Sequence, residues 1–247
     1  LHIESVGSGL MSTVRNAEGL KEERSRSIST SIDYYHRFGN GILVNLLVEG
    51  FYTNLKNVFV LEEVGLDSNG LLIKERQNGS GARVKGMVFE VRSVLNAWLQ
   101  MQGGITWQQS HYKNPEQWST DPTVKAEKQM FRTPNSYGYL TSTITPIKHF
   151  SASISGTYTG SMLVQHHIGS GVNKDVAVNT PDFVDVNLKL SYEFPLYDEV
   201  KLELSGGIQN LFNAYQKDFD KGKDRDSGYI YGPSLPRSYF GGIKLLF

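Results

Sequence analysis

Two adjacent histidines, His166 and His167, stand in a polar stretch beside Met162 and Gln165. Imidazole nitrogens bind transition metals and haem iron, so the pair is a candidate for axial ligation or for recognition of a metal chelate. The alternative is a pair of polar residues on a loop surface. A second group is aromatic: Tyr112, Trp118, Phe131, Tyr215, Phe219, Tyr229 and Tyr231 all lie in or beside polar connecting segments. Such rings can stack on a flat ligand. They can equally pack loops together or sit at a lipid interface, and both readings stay open. Trp118, Tyr229 and Tyr231 join His166 and His167 as candidate ligand contacts. A third group mixes signs: Lys217, Asp218, Asp220, Lys221, Lys223, Asp224, Arg225 and Asp226. It reads as a solvated loop, and its spacing is not that of a calcium-binding EF-hand.

Catalytic constellations are missing from the sequence. The six histidines (His2, His36, His111, His149, His166 and His167) include no pair at helical spacing with a neighbouring glutamate, as a zinc hydrolase needs. No G-x-S-x-G elbow or phosphate-cradling glycine loop occurs, and Gly79–Ser80–Gly81 reads as a turn. Glu62 and Glu63 are neighbours, which puts them on opposite faces of a strand. With no cysteine, thiolate metal sites and a cysteine nucleophile are excluded. The 247 residues carry 25 Lys+Arg against 25 Asp+Glu, so the basic footprint of a nucleic-acid binder is absent. The expectation is a protein that is not an enzyme and has no resident cofactor.

The elements that position these residues have period two. In 200–208, Val200, Leu202, Leu204, Gly206 and Ile208 alternate with Lys201, Glu203, Ser205 and Gly207. The stretches 183–194, 150–159 and 99–108 alternate in the same way, one side apolar with aromatic ends, the other carrying Ser, Thr, Gln and Lys. Nine extended segments are predicted: 27–38, 41–62, 71–94, 98–112, 136–145, 149–160, 182–194, 200–212 and 237–247. Short links (37–41, 95–98, 146–149, 195–199) alternate with long polar ones (64–71, 113–135, 161–181, 213–236). No apolar stretch is long enough for a membrane-spanning helix. One-sided strands, aromatic girdles and alternating short and long connections instead predict an all-β fold: an antiparallel transmembrane β-barrel segment in a bacterial outer membrane. Asp33, Tyr35, Arg37, Asn45, Glu49, Glu90, Arg92, Asp185, Lys189, Lys201 and Glu203 should face its lumen. An open sheet leaves edges that lipid does not tolerate. The whole chain, 1–247, is therefore expected to be the C-terminal portion of a longer barrel.

The C-terminus carries a further signal. Tyr239, Gly241, Ile243, Leu245 and the terminal Phe247 share one face of the last segment. An aromatic terminus with apolar residues at every second position is a candidate signal for the barrel-assembly machinery.

These residues resemble the end of TonB-dependent outer-membrane receptors. Gly207, Asn210, Leu211, Phe212 and Asn213 match a G-v-x-N-L-F-N element in the family's penultimate strand. Tyr231, Gly232, Pro233, Pro236 and Arg237 match the Y-G-P-x-x-P-R element before the final strand. Near the front, Asn16, Leu20, Glu23 and Ser25 match an element in which the family has prolines where this chain has Ala17 and Glu22. The resemblance implies nine strands of a barrel of about 22, with the family's plug domain and TonB box absent from this chain. It also implies import of a scarce ligand, a ferric siderophore, haem or cobalamin, driven by the TonB complex. The alternatives are a passive outer-membrane pore or adhesin-like barrel, and a soluble all-β binding module.

Overall fold

The computed structural model describes residues 2–4, 12–39, 41–197, 199–233 and 235–247. Among them there is no helix. Sixteen strands follow in order: β1 (His2–Glu4), β2 (Ser12–Asn16), β3 (Arg24–Arg37), β4 (Leu43–Lys56), β5 (Phe59–Leu66), β6 (Leu72–Asn78), β7 (Ala82–Asn96), β8 (Leu99–Glu116), β9 (Glu127–Gln129), β10 (Ser136–Ile144), β11 (Phe150–Thr159), β12 (Leu163–His166), β13 (Val176–Asn179), β14 (Phe183–Tyr197), β15 (Val200–Gln209) and β16 (Ser238–Leu246). Nine of them form one continuous antiparallel wall in the order β16-β15-β14-β11-β10-β8-β7-β4-β3, with β9 added beside β8. The nine expected segments are these nine strands. Each has at least nine residues, enough for a tilted crossing of an apolar layer.

Register carries the alternation across the whole wall. Tyr34, Leu46, Val91, Gly103, Leu140, Gly156 and Val186 are successive cross-strand partners. The next row continues through Ile154, Leu188, Ile208 and Tyr239. This outward face is exposed: Ile32, Met87, Phe89, Trp107, Leu190 and Ile243 all show large apolar surfaces. The opposite face pairs Asp33 with Leu47, then Glu90, Gly104, Tyr139, Thr157 and Asp185. All eleven residues expected in the lumen lie on it. In β7 the outward Arg83, Lys85, Met87 and Phe89 are exposed while the residues between them are half-buried, as on a wall curling toward its polar side.

Glycines let aromatic rings lie flat on the polar face. Phe51 is opposite Gly86, Tyr139 opposite Gly104 and Phe240 opposite Gly207. A Cβ at Gly86 would fall 2.7 Å from the Phe51 ring, so the ring occupies the space a side chain would need.

β3, β8 and β14 run three or four residues beyond their expected extents, and three other segments break or stop short. The 41–62 stretch breaks at Asn57, whose φ of 56° leaves the extended region. The 71–94 stretch breaks at Gly81, φ 87°. Between these breaks β5 and β6 leave the wall as a hairpin, turning at 67–70 and joined by β2, which runs parallel to β6, and β1. The third to stop short is β15, which ends at Gln209 because Asn210 takes φ 48°.

Candidate functional site: the cap of long loops

All four short connections lie at one end of the wall and the long ones at the other, as the antiparallel order requires. Three long loops, 117–135, 160–182 and 210–237, close on each other to form a cap. The last is started by Asn210. Its left-handed backbone turns the chain out of β15. Its side-chain oxygen accepts from the Ala214 N–H at 2.8 Å. Its amide nitrogen donates to the Ala214 and Leu235 carbonyls, both at 2.8 Å. Asn213 then accepts from the Arg237 N–H at 2.9 Å. The two asparagines of the N-L-F-N element therefore bind both feet of one loop.

Above these feet lies the one hydrophobic cluster of buried residues found among the described residues: Val164, Phe183, Tyr229 and Tyr231, with Met162, Val178 and Ala214 against it. Gly232 (φ 83°) passes so close that a Cβ would sit 2.7 Å from the Phe183 ring. That contact accounts for the glycine between Tyr231 and Pro233.

Around this cluster the polar groups are paired. His166 is buried, stacked on Tyr229 with ring centroids 3.6 Å apart, and its Nε2 lies 3.0 Å from Asp220 Oδ1. The Asp220 side chain is only 2% exposed. Its other oxygen accepts from the Asp226 N–H at 3.0 Å. Burial works to raise the Asp220 carboxyl, but the Asp226 N–H and His166 outweigh it and hold it below its ordinary value. A Cβ at Gly171 would overlap this carboxylate, so the glycine-rich 169–171 turn is needed for the close approach. Asp218, at the solvent edge, accepts from Tyr229 at 2.8 Å and Tyr231 at 2.5 Å. Desolvation opposes its ionisation, and the two phenol donors reverse that, so its carboxyl is also held low. Burial first, and the Asp218 bond second, push the Tyr229 hydroxyl up to about 12, and the same two causes raise Tyr231 further.

The remaining contacts join the loops. Arg132, at φ 56°, donates through its backbone to Leu163 at 2.8 Å and through its guanidinium to the Gly228 and Ile230 carbonyls. The His167 N–H donates to Asp226 at 2.8 Å, its ring lies 3.5 Å from Asp175, and its edge meets Trp118. Trp118 packs on Phe131 and donates to the Lys125 carbonyl at 3.1 Å.

The five candidate ligand residues thus fall into two groups. His166, Tyr229 and Tyr231 meet in the buried cluster, and His167 meets Trp118 at its side. The sequence reading missed Asp218, Asp220 and Asp226 as organising groups, because it took the mixed-sign run for a solvated loop. No local spacing announced them: both tyrosines converge on Asp218, and Asp220 meets His166 from another loop. Among the described residues no cluster of three His, Asp or Glu has the arrangement of a metal site. Beside the cluster the loop carries an open pocket of about 810 Å³, lined by Tyr215, Phe219, Ile230 and Pro233 with Lys221, Arg225, Asp220 and Asp226. The Lys221 ammonium lies 5.7 Å from the Phe219 ring.

A one-sided antiparallel wall with short turns at one end and a cap of long loops at the other defines a segment of an outer-membrane-type β-barrel, left open in this chain. Residues 6–211 match the family model of the TonB dependent receptor-like beta-barrel, and the chain belongs to that family. No curated protein sequence matches it. Solved structures do. The ferric-catecholate import receptor Fiu from K12 E. coli superposes with a TM-score of 0.57 at 20% identity, over 90% of this chain and 28% of that one. A G324V mutant of the ferric enterobactin receptor PfeA from Pseudomonas aeruginosa gives 0.57 at 17%, over 95% and 33%. The copper transporter OprC gives 0.59 at 14%, over 93% and 33%. The chain therefore spans about a third of the length of these proteins, and the likeness is one of fold.

Proposed function

We propose that this chain is part of an outer-membrane receptor that imports a scarce metal chelate, with energy delivered through TonB. The observation that carries the reading is the family match combined with the cap's open pocket, where rings stand beside Lys221 and Arg225 while Asp220 and Asp226 are engaged by hydrogen bonds within the loops, an arrangement that supports contacts to a ring-bearing anionic ligand. A chelate too large for passive pores must be bound tightly when scarce. Tight binding slows release, so work has to be done on the receptor. Within this reading His166 holds the loops together, since its Nε2 faces Asp220 and its ring face is covered by Tyr229. That favours a ferric chelate over haem or cobalamin as cargo. The contacts to it would come from Phe219, Lys221 and Arg225.

The test is growth and uptake of radiolabelled ligand in a strain deleted for the receptor gene, supplied separately at limiting concentration with iron-labelled ferric catecholate, iron-labelled haem or cobalt-labelled cobalamin. Loss of uptake for the ferric chelate alone, reproduced by deleting the TonB protein, is the expected result. A deletion strain that takes up all three as well as its parent removes the transport assignment.

A further inference from the structure

The β5-β6 hairpin carries an Asn–Gly pair at each end, in contrasting surroundings. In such a pair the glycine's backbone nitrogen can attack the asparagine's side-chain carbonyl carbon, with no Cβ to hinder the approach. Asn69–Gly70 forms the tip. Asp67 accepts from the Gly70 N–H through its carbonyl at 3.0 Å, and through Oδ1 from the Asn69 and Leu71 N–H groups, both at 2.8 Å. Asn69 itself is exposed, and its side-chain amide makes no hydrogen bond among the described residues. Nothing lies within 4 Å of where a Gly70 side chain would begin. Asn78–Gly79 forms the root. The Asn78 side chain accepts from the Lys21 N–H at 2.7 Å and donates to the Lys21 carbonyl at 2.8 Å and the Asn57 carbonyl at 3.0 Å. A Cβ at Gly79 would fall 2.9 Å from Val60 and 3.0 Å from the Glu116 carboxylate, so the root is also crowded.

We propose that Asn69 is a self-modification site, deamidating to aspartate and isoaspartate in the folded protein, and that the fold protects Asn78. Water is the only co-reactant. The Gly70 nitrogen loses its proton to a solvent base and bonds to Asn69 Cγ. The Cγ–Nδ2 bond breaks, and the nitrogen takes up a proton and leaves as ammonia. Water then opens the cyclic imide. Attack at Cγ gives aspartate; attack at the main-chain carbonyl gives isoaspartate, whose backbone runs through Cβ. Each glycine nitrogen first gives up one hydrogen bond, Gly70 to Asp67 and Gly79 to Val58 at 2.8 Å, so that cost is common to both sites. The side-chain amides separate them. Three hydrogen bonds hold Asn78 and none holds Asn69, which makes the reactive conformer about 100-fold rarer at the root. Either product adds a negative charge beside Asp67. Isoaspartate also lengthens a turn that Asp67 Oδ1 fixes, so one sequence yields hairpins with different tips.

The experiment ages the full receptor in detergent at mildly alkaline pH. Peptide mass spectrometry locates each conversion, and an isoaspartate-specific methyltransferase with labelled methyl donor reads the rearranged product. Asn69 should convert about 100-fold faster than Asn78 in the folded receptor. In denaturant the two sites should convert at similar rates, because each asparagine is followed by glycine and the hydrogen bonds that protect Asn78 are gone. Asp67→Ala removes the acceptor that holds the turn and a negative charge that opposes loss of the Gly70 proton. It should therefore speed conversion at Asn69 and leave Asn78 unchanged. Asn69→Gln should abolish the isoaspartate signal from the tip peptide. Equal rates at the two sites in the folded receptor would overturn the proposal, as would an intact Asn69 after a period in which the unfolded chain converts. A rate ratio that persists in denaturant would show that local sequence decides, and an Asp67→Ala receptor no faster at Asn69 than wild type would show that the turn does not control attack; either result also overturns it.

Discussion

The wall and the cap are built on opposite rules. In the wall the large apolar side chains, Ile32, Met87, Phe89, Leu190 and Ile243, face outward and are exposed, while away from the loop end the charged ones turn to the enclosed side. In the cap Val164, Tyr229, Tyr231 and Phe183 are buried together, as in a water-soluble protein, and carboxylates hold them from outside. One chain thus obeys two solvents. The wall is specified by which face a side chain points to, whereas the cap is specified by individual hydrogen bonds. Substitutions should separate the two by what they damage.

The largest effect should come from placing charge on the outward face. Leu188 and Lys189 are neighbours on β14 with opposite orientations. Leu188→Arg should cost about 2–4 kcal/mol of whole-barrel stability, since a guanidinium would enter the apolar layer far from either interface. Guanidinium-induced unfolding of the receptor in lipid vesicles measures it. A Leu188→Arg receptor as stable as wild type would mean that this face does not contact lipid.

Next is the centre of the cap. Asp220→Ala leaves His166 and the Asp226 N–H without their acceptor in a buried site, at a cost of about 3 kcal/mol. The damage should be confined to the loops: hydrogen exchange within 160–182 and 210–237 should speed up while the wall's unfolding midpoint stays put. Asp220→Asn keeps an acceptor and should do less. Loss of the whole barrel's stability would show that cap and wall are one cooperative unit.

The same carboxylates give the cap a pH window. Asp175, Asp218 and Asp220 are all held below the ordinary value of 3.8, in each case by hydrogen bonds that outweigh burial. Their folded forms bind protons less readily than the unfolded chain. Their contribution is therefore present above about pH 4 and lost as pH falls through the lower folded values. Tyr229 works at the other end: raised to about 12, it keeps its proton when an unfolded tyrosine would lose it. Stability is complete below pH 10 and declines between 10 and 12. Protease nicking at the exposed Lys221 and Lys223, followed across pH, should rise at both extremes and stay flat between. Nicking that varies between pH 5 and 9 would contradict this.

How far the sequence could be read follows from the same contrast. The nine wall strands and their lumen-facing residues were legible because period two survives in every strand and a polar residue on the wrong face is costly. The Asn57 and Gly81 breaks were not, because the chain stays extended on both sides of each and only the left-handed backbone of one residue marks where it leaves the wall. In the cap, His166, Tyr229 and Tyr231 were picked out by type, but their convergence was invisible. It depends on contacts such as His166 with Asp220, 54 residues apart. No local period encodes such a contact. Asn210 and Gly232 were visible only as motif letters; their left-handed backbones and close contacts supply the physical reason.

The smallest effect sharpens the contrast at its limit. Lys189→Gln removes a charge from the inner face, one residue from the site of the largest effect. Its side chain is about half exposed (48%) and its ammonium lies 3.6 Å from Glu203, which also stands directly opposite Glu193 on the neighbouring strand. Removing Lys189 therefore leaves two facing carboxylates with Lys201 as their remaining diagonal partner. Solvent screens all of these groups, so the cost should be under about 1 kcal/mol and should vanish in high salt. An effect as large as that of Leu188→Arg, or one insensitive to salt, would mean that the inner face is dry and that its charges are packed rather than solvated. A small, salt-sensitive effect places the boundary between the two solvents in the thickness of a single strand.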